Sequence, residues 1–237
     1  EVNYMAAKVK DNNMINESYR EIRTYLTIND NMKTILVTSA EMNEGKTTTI
    51  CNLAKCFGEL DDIKVILIDC DFKKRGVSRK LGIQNPFGVS DIVFGNKKLD
   101  ECIQKVEDID VLPSGGVPNN TSMLLNSKVM KNLVNELREK YDYVFIDSPP
   151  ICRLNDACII AQYVDGTVLV NASKEIDSKV AKLTLEKLKK VGANVIGVVL
   201  NKFRSEQYNY YSYYSYYGYD DNRKGIFRRK KKKKKHK

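Results

Sequence analysis

The chain has 237 residues, with 40 Lys or Arg against 30 Asp or Glu for a formal charge of +10, and 42% of its residues are apolar. That length suits one ordinary domain with a sizeable core, and no apolar run approaches the roughly 20 residues of a membrane-spanning helix, so a soluble chain is expected. The one histidine, His236, stands among lysines at the end, which excludes histidine zinc sites and Ser/His/Asp or Cys/His nucleophiles and leaves Asp, Glu, Lys, Tyr or a hard metal ion to carry any chemistry.

Six cysteines (Cys51, Cys56, Cys70, Cys102, Cys152 and Cys158) show no CxxC spacing and read as reduced, buried, structural thiols. No basic segment leads into an apolar stretch at the start, so no secretory signal is expected and the expected compartment is the cytoplasm. The charge is concentrated at one end. From Asp220 to Lys237 eleven Lys or Arg face two Asp, a net +9, which leaves about +1 for residues 1–219. The basic balance therefore belongs to an appended segment rather than to the folded body.

In chain order, the pattern predicts a helix over Asn16 to Ile28, then strands at Thr34 to Thr38, Val65 to Asp69, Asp110 to Leu112, Tyr143 to Asp147, Thr167 to Val170 and Val195 to Leu200. Helices are predicted between them at 46–59, 121–140, 153–163 and 177–190, the last stopped by Gly192. Val-, Ile- and Leu-rich runs alternating with amphipathic stretches point to an α/β fold, a doubly wound and mostly parallel sheet. After the last strand, Tyr208 to Tyr219 reads YNYYSYYSYYGY, eight tyrosines in twelve residues. With almost no aliphatic side chains to bury, residues 205–237 read as a flexible extension.

Directly after the first of these strands stands AEMNEGKTT, Ala40 to Thr48, a relaxed phosphate-loop pattern. Backbone N–H groups of such a turn face phosphate oxygens, and the following helix adds positive potential. Asn43, Glu44, Gly45, Lys46, Thr47 and Thr48 are the candidate nucleotide contacts. Gly45 permits close approach, Lys46 reaches the β and γ phosphates, and Thr47 offers a hydroxyl to Mg²⁺. VILIDCDFKKR places Asp69 and Asp71 at the end of one strand, and YVFIDSPP places Asp147 at the end of another. Ligands of open parallel sheets bind outside the strands' carboxyl ends, so these carboxylates are expected to converge on the loop and to hold Mg²⁺ or accept a proton.

The phosphate loop, the DCD segment and the IDSPP segment resemble the Walker A, A′ and B motifs of the bacterial tyrosine kinases encoded with capsule and exopolysaccharide genes, and the resemblance covers nearly the whole chain. It extends to Glu17, Arg20 and Arg23 in ESYREIRT, an ExxRxxR pattern that in the family lies at the subunit interface. It extends also to LPSGGVPNN, to Asp156 and Ala157, to Asn201 at the adenine position of related ATPases, and to the terminal tyrosines as the autophosphorylation region. Met42 and Asn43 depart from the family's frequent Pro and Gly, and residues 119–125 lack its usual Pro and Glu.

The resemblance implies a P-loop NTPase fold related to the ParA and MinD type. It implies an ATP- and Mg²⁺-dependent protein tyrosine kinase that phosphorylates Tyr208, Tyr210, Tyr211, Tyr213, Tyr214, Tyr216, Tyr217 and Tyr219 in trans and regulates capsular or extracellular polysaccharide synthesis and export. Residues 1–204 would be the kinase domain, with 1–30 as an N-terminal interface region, and 205–237 the tail. Catalysis would rest on Lys46, on Asp71 as the base for the phenol, and on Asp69 and Asp147, with Thr47, Asp69 and Asp147 at the metal; a swap of Asp69 and Asp71 remains open. Expected partners are further copies in a ring-like homo-oligomer, a separate transmembrane activator that holds the chain at the inner face of the cell membrane, and a cognate phosphotyrosine phosphatase. The run RRKKKKKKHK reads as a contact for anionic lipid, as a solvated segment or, least favoured, as a nucleic-acid contact. The alternative function is a partition or positioning ATPase of the ParA or MinD type without kinase activity. Those enzymes use a second lysine near the start of the loop, where this chain has Ala40, Glu41 and Met42.

Overall fold

The computed structural model describes residues 4–8, 12–28 and 31–203. The terminal tyrosine cluster and the lysine run lie outside the described residues. The strands are β1 (Tyr4–Lys8), β2 (Thr34–Ser39), β3 (Val65–Asp69), β4 (Gln104–Val106), β5 (Ile109–Leu112), β6 (Tyr143–Asp147), β7 (Gly166–Ala172) and β8 (Val195–Phe203). They form one sheet in the order β1-β8-β7-β2-β6-β3-β5-β4, parallel throughout except for the antiparallel β4–β5 pair. The helices are α1 (Asn12–Thr27), α2 (Lys46–Gly58), α3 (Gly76–Leu81), α4 (Val89–Val93), α5 (Leu99–Cys102), α6 (Thr121–Leu125), α7 (Lys128–Lys140), α8 (Asp156–Ile160) and α9 (Ser178–Lys190).

Side chains of a strand alternate between the two faces, and here each face is covered. Ile35, Val37, Leu67, Phe145, Val168 and Val170 pack with Tyr19, Ile22 and Leu26 of α1 and with Ile50, Leu53 and Phe57 of α2. Leu36, Ile66, Ile68, Val144 and Ile146 turn to the opposite core, under Met130, Leu133, Val134 and Leu137 of α7 and Ala157, Cys158 and Ile160 of α8. Burial on both sides is what makes these strands uniformly apolar rather than alternating. Five of the six cysteines are buried and all six are free thiols; Cys152 is exposed.

The predicted helix over 121–140 is two helices. Asn120 accepts a hydrogen bond from Met123 N at 2.9 Å to start α6, and Ser127 accepts one from Met130 N at 3.1 Å to start α7. A helical Ser or Asn side chain that finds a nearby amide starts a new helix instead of continuing the old one. The predicted helix at 153–163 contracts to Asp156–Ile160. Two strands, β1 and β4, and three short helices, α3 to α5, add to the predicted set. No helix among the described residues is long and apolar enough to cross a membrane.

Candidate active site

Two acidic strand ends, carrying three aspartates, and the phosphate loop meet at the carboxyl edge of the sheet, where β2 runs between β7 and β6. Asp69 and Asp147 are register partners across β3 and β6, so two carboxylates stand side by side with no exposed surface. The loop leaves β2, turns through Asn43 (φ 66°) and Gly45 (φ 96°), and enters α2 at Lys46. Gly45 has no substitute here. Besides its left-handed φ, a Cβ on it would lie 1.9 Å from Asn201 Nδ2.

Lys46 is the buried centre of the site. Its Nζ lies 3.1 Å from Asp71 Oδ2 and 3.5 Å from Asp147 Oδ1. Burial alone would lower the ammonium's pKa, but Asp147 and Asp71 outweigh it and the net shift is upward. Thr47 donates its hydroxyl to Asp147 Oδ2 at 2.8 Å. Asp147 Oδ1 is buried and accepts no hydrogen bond among the described residues. Burial raises the pKa of Asp147, with Lys46 and the Thr47 hydroxyl pulling the other way.

Asp69 is bound differently. Its Oδ1 accepts Asp71 N at 3.0 Å and its Oδ2 accepts Val77 N at 3.1 Å, so it shapes the 70–77 turn that carries Asp71. Burial, then the charge of Asp147, pushes its pKa up to about 7 despite those two amides. Asp71, by contrast, turns one oxygen to Lys46 and takes Lys74 N on the other at 3.2 Å. Of the pair, Asp71 is the one aimed at the amine.

The remaining predicted contacts fall around the loop. Asn201 donates Nδ2 to Glu44 O at 2.8 Å, Asn43 Oδ1 accepts Lys74 Nζ at 3.4 Å, and Thr48 is exposed on the first turn of α2. Glu44 has a role that its position in the motif did not reveal. Its buried carboxylate accepts Glu41 N at 2.6 Å and Ala172 N at 3.1 Å, tying the loop to the end of β7, and burial raises its pKa. A charged residue inside a phosphate-binding loop was the available signal, since an acidic side chain there must be turned away from the ligand.

On α1, Glu17 and Arg20 form an exposed pair at 3.3 Å. Arg23 instead turns inward and its guanidinium donates to the carbonyl of Cys56 in the last turn of α2. The strip of three is thus an exposed pair plus a tether. Asp156 is 1% exposed and accepts the hydroxyls of Thr121 and Ser122 at 2.9 and 2.8 Å, joining α8 to α6 rather than to the site.

The donors fit Mg²⁺. Thr47 and Asp147 Oδ1, which accepts no hydrogen bond, offer hard oxygens beside Lys46, and no group of three or more His, Cys, Asp or Glu side chains suited to a metal gathers among the described residues. Such a set suits an ion that takes one or two protein oxygens, waters and substrate phosphate.

Residues 32–195 match the AAA domain family. The chain is 34% identical over 200 residues to tyrosine-protein kinase YwqD of Bacillus subtilis, which spans 82% of this chain and 84% of that protein. Among solved structures, the chimerical protein CapA2B2 superposes with a TM-score of 0.80 at 27% identity, covering 85% of this chain and 95% of that one. The kinase domain of Escherichia coli tyrosine kinase ETK gives 0.76 at 28% identity, covering 83% and 80%. The cell division ATPase MinD of Pyrococcus furiosus shares the fold at a TM-score of 0.62, 24% identity and 74% of each chain. The nucleotide-binding sheet, the Lys46 site and these likenesses together place the chain in the family of bacterial tyrosine-protein kinases.

Proposed function

We propose that the chain is an ATP-dependent protein tyrosine kinase that phosphorylates the tyrosines between Tyr208 and Tyr219 in trans, between subunits, and thereby regulates capsular or extracellular polysaccharide synthesis. The observation that carries this is Lys46, buried and placed between Asp71 and Asp147 at the mouth of a glycine-turned loop. When ATP binds, Lys46 exchanges its carboxylate partners for the β and γ phosphates, which frees Asp71. The phenol oxygen of tyrosine forms its bond to the γ phosphorus as the bond to the β–γ bridging oxygen breaks, ADP leaves with that electron pair, and the phenol proton passes to Asp71. Phosphoryl transfer asks the protein mainly for in-line placement and charge neutralisation, and a phenol of pKa near 10 gains from a nearby base. Thr47 and Asp147 would hold Mg²⁺, which would supply further positive charge at the phosphates. Asp69 holds the 70–77 turn and is the register partner of Asp147 on the neighbouring strand.

The ring-like assembly, the separate transmembrane activator and the phosphotyrosine phosphatase belong to this reading, as does a place at the inner face of the membrane. The exposed Glu17–Arg20 pair on α1 is compatible with a subunit contact, and a lysine run of net positive charge with an anionic lipid surface. Against the switch-ATPase alternative stands Glu41, an acidic residue in the neighbourhood where that type carries its second lysine.

Intact-mass spectra after incubation with Mg-ATP test the proposal. Phosphate additions of 80 Da steps (about, per phosphate) that vanish in Lys46→Met support it. ATP hydrolysis with no mass gain would refute it in favour of the switch.

A further inference from the structure

Beside the transfer site lies a groove that the chemistry above does not use. It has a volume of about 280 Å³ and is walled by Arg75, Ser78 and Arg79 on and before α3, by Ile83, and by Pro113 and Ser114 of the LPSGG segment. The chain reaches it directly from Asp71, whose carbonyl accepts Arg75 N at 2.8 Å. The next residue, Gly76, packs so close to Thr47 that a Cβ on it would lie 2.9 Å from Thr47 Cγ2. The groove and the Lys46 site therefore share one wall.

Four features give the groove a ligand class. Arg75 and Arg79 are exposed, and neither forms an ion pair among the described residues. Residues Lys73 to Lys80, KKRGVSRK, hold five cationic side chains and no acidic one. Arg75 sits at φ 47°, ψ 48°, a left-handed conformation that a non-glycine residue keeps only where its surroundings enforce it, and that is common where a side chain must be presented. The hydroxyl of Ser114, a residue 1% exposed, has no hydrogen-bond partner among the described residues. Asp91, the carboxylate behind the Gly115 turn, is already engaged by Gly88 N at 2.9 Å.

Two guanidiniums and the spare Ser114 hydroxyl match a phosphate monoester, which arginine binds through paired N–H groups. The apolar wall of Ile83, Pro86 and Pro113 matches an aromatic ring, and the volume lies at the lower limit for a ligand site, suited to one side chain rather than a cofactor. We propose that this groove binds phosphotyrosine, so that a substrate segment already phosphorylated once is retained beside Asp71 while another of its tyrosines is presented for transfer. The substrate sequence has the right repeat, since YYSYYSYY sets tyrosines three residues apart, about 10 Å in an extended peptide. This rests on the tyrosine kinase reading, which it deepens by making a phosphorylated segment a better ligand than an unmodified one.

The test is binding, measured separately from transfer. The full chain, dephosphorylated and saturated with Mg-ADP to fill the phosphate loop, is titrated with the fluorescent peptide YYSYYSYYGY carrying one phosphotyrosine. Unphosphorylated and phosphoserine versions and inorganic phosphate serve as comparison probes. Tightest binding by the phosphotyrosine peptide, weakened about tenfold or more by Arg79→Ala and only partly restored by Arg79→Lys, is expected. Equal binding of phosphorylated and unphosphorylated peptides, indifference to Arg79→Ala, or equal competition by inorganic phosphate at the same concentration would each overturn it. Because no transfer is needed, a chain that binds the phosphopeptide but adds no phosphate in the intact-mass experiment would keep the groove and lose the kinase reading, and the converse result would do the reverse.

Discussion

Asp69→Asn tests whether the paired strand-end carboxylates are held near their titration point. Asp69 has a folded pKa of about 7 against an ordinary value of 3.8. The folded state then binds the proton more tightly than the unfolded chain, so this group's contribution to stability is full below pH 4 and is lost as pH rises through 7. Between pH 5.5 and pH 8 that loss amounts to about 2 kcal/mol. Asparagine cannot titrate, and its amide nitrogen would face one of the two backbone N–H donors, Asp71 N or Val77 N. That costs about 1–3 kcal/mol at every pH. Urea unfolding of nucleotide-free wild type and variant, followed by circular dichroism from pH 5.5 to 8.5, separates the two effects. The variant should be less stable by about 1–3 kcal/mol at pH 5.5, and the gap should close by about 2 kcal/mol by pH 8. A gap that stays constant across the range would mean that Asp69 does not titrate there, and the reasoning from its burial beside the charge of Asp147 would fail.

Two other substitutions probe the loop. Gly45→Ala forces a side chain into a left-handed conformation, at about 1–2 kcal/mol, and drives it onto Asn201; nucleotide affinity, measured with a fluorescent ATP analogue, should fall about tenfold or more, and an affinity within twofold of wild type would contradict the packing described. Glu44→Gln leaves either Glu41 N or Ala172 N facing an amide donor, so the thermal midpoint should drop by about 3–8 °C. An unchanged midpoint by calorimetry would show that the loop is not tied to β7 through this carboxylate.

Much of the site is visible in the sequence because the physics that builds it is local. Apolar runs closing on Asp69 and Asp147 give β3 and β6 with the boundaries expected, Val65–Asp69 and Tyr143–Asp147, and the GKT triplet after such a run fixes the start of α2 at Lys46. Elements held by tertiary contact are harder to read. In β1, YMAAK has no β-branched residue and pairs with β8 alone; in β4, QKV is a three-residue edge paired with β5 alone. The different tasks of Asp69 and Asp71 are also invisible from DCD, since only the fold shows which carboxylate receives backbone amides and which faces Lys46. Arg23 reads as one member of a charged strip until its guanidinium is seen to end on a carbonyl of another helix.

That tether makes α2 a strut with a function at each end. Its first residue is Lys46 and its last turn is gripped by Arg23 from α1, while Tyr19, Ile22 and Leu26 press along its flank against Ile50, Leu53 and Phe57. Thirteen residues of helix span about 20 Å, and a buttressed helix moves as a rod rather than bending. Anything that pushes on the outer side of α1, where Glu17 and Arg20 stand exposed, is therefore delivered to the ammonium at the far tip with little lost on the way. In the proposed ring, a neighbour docked on that helix would bear on the same strut that ends in Lys46.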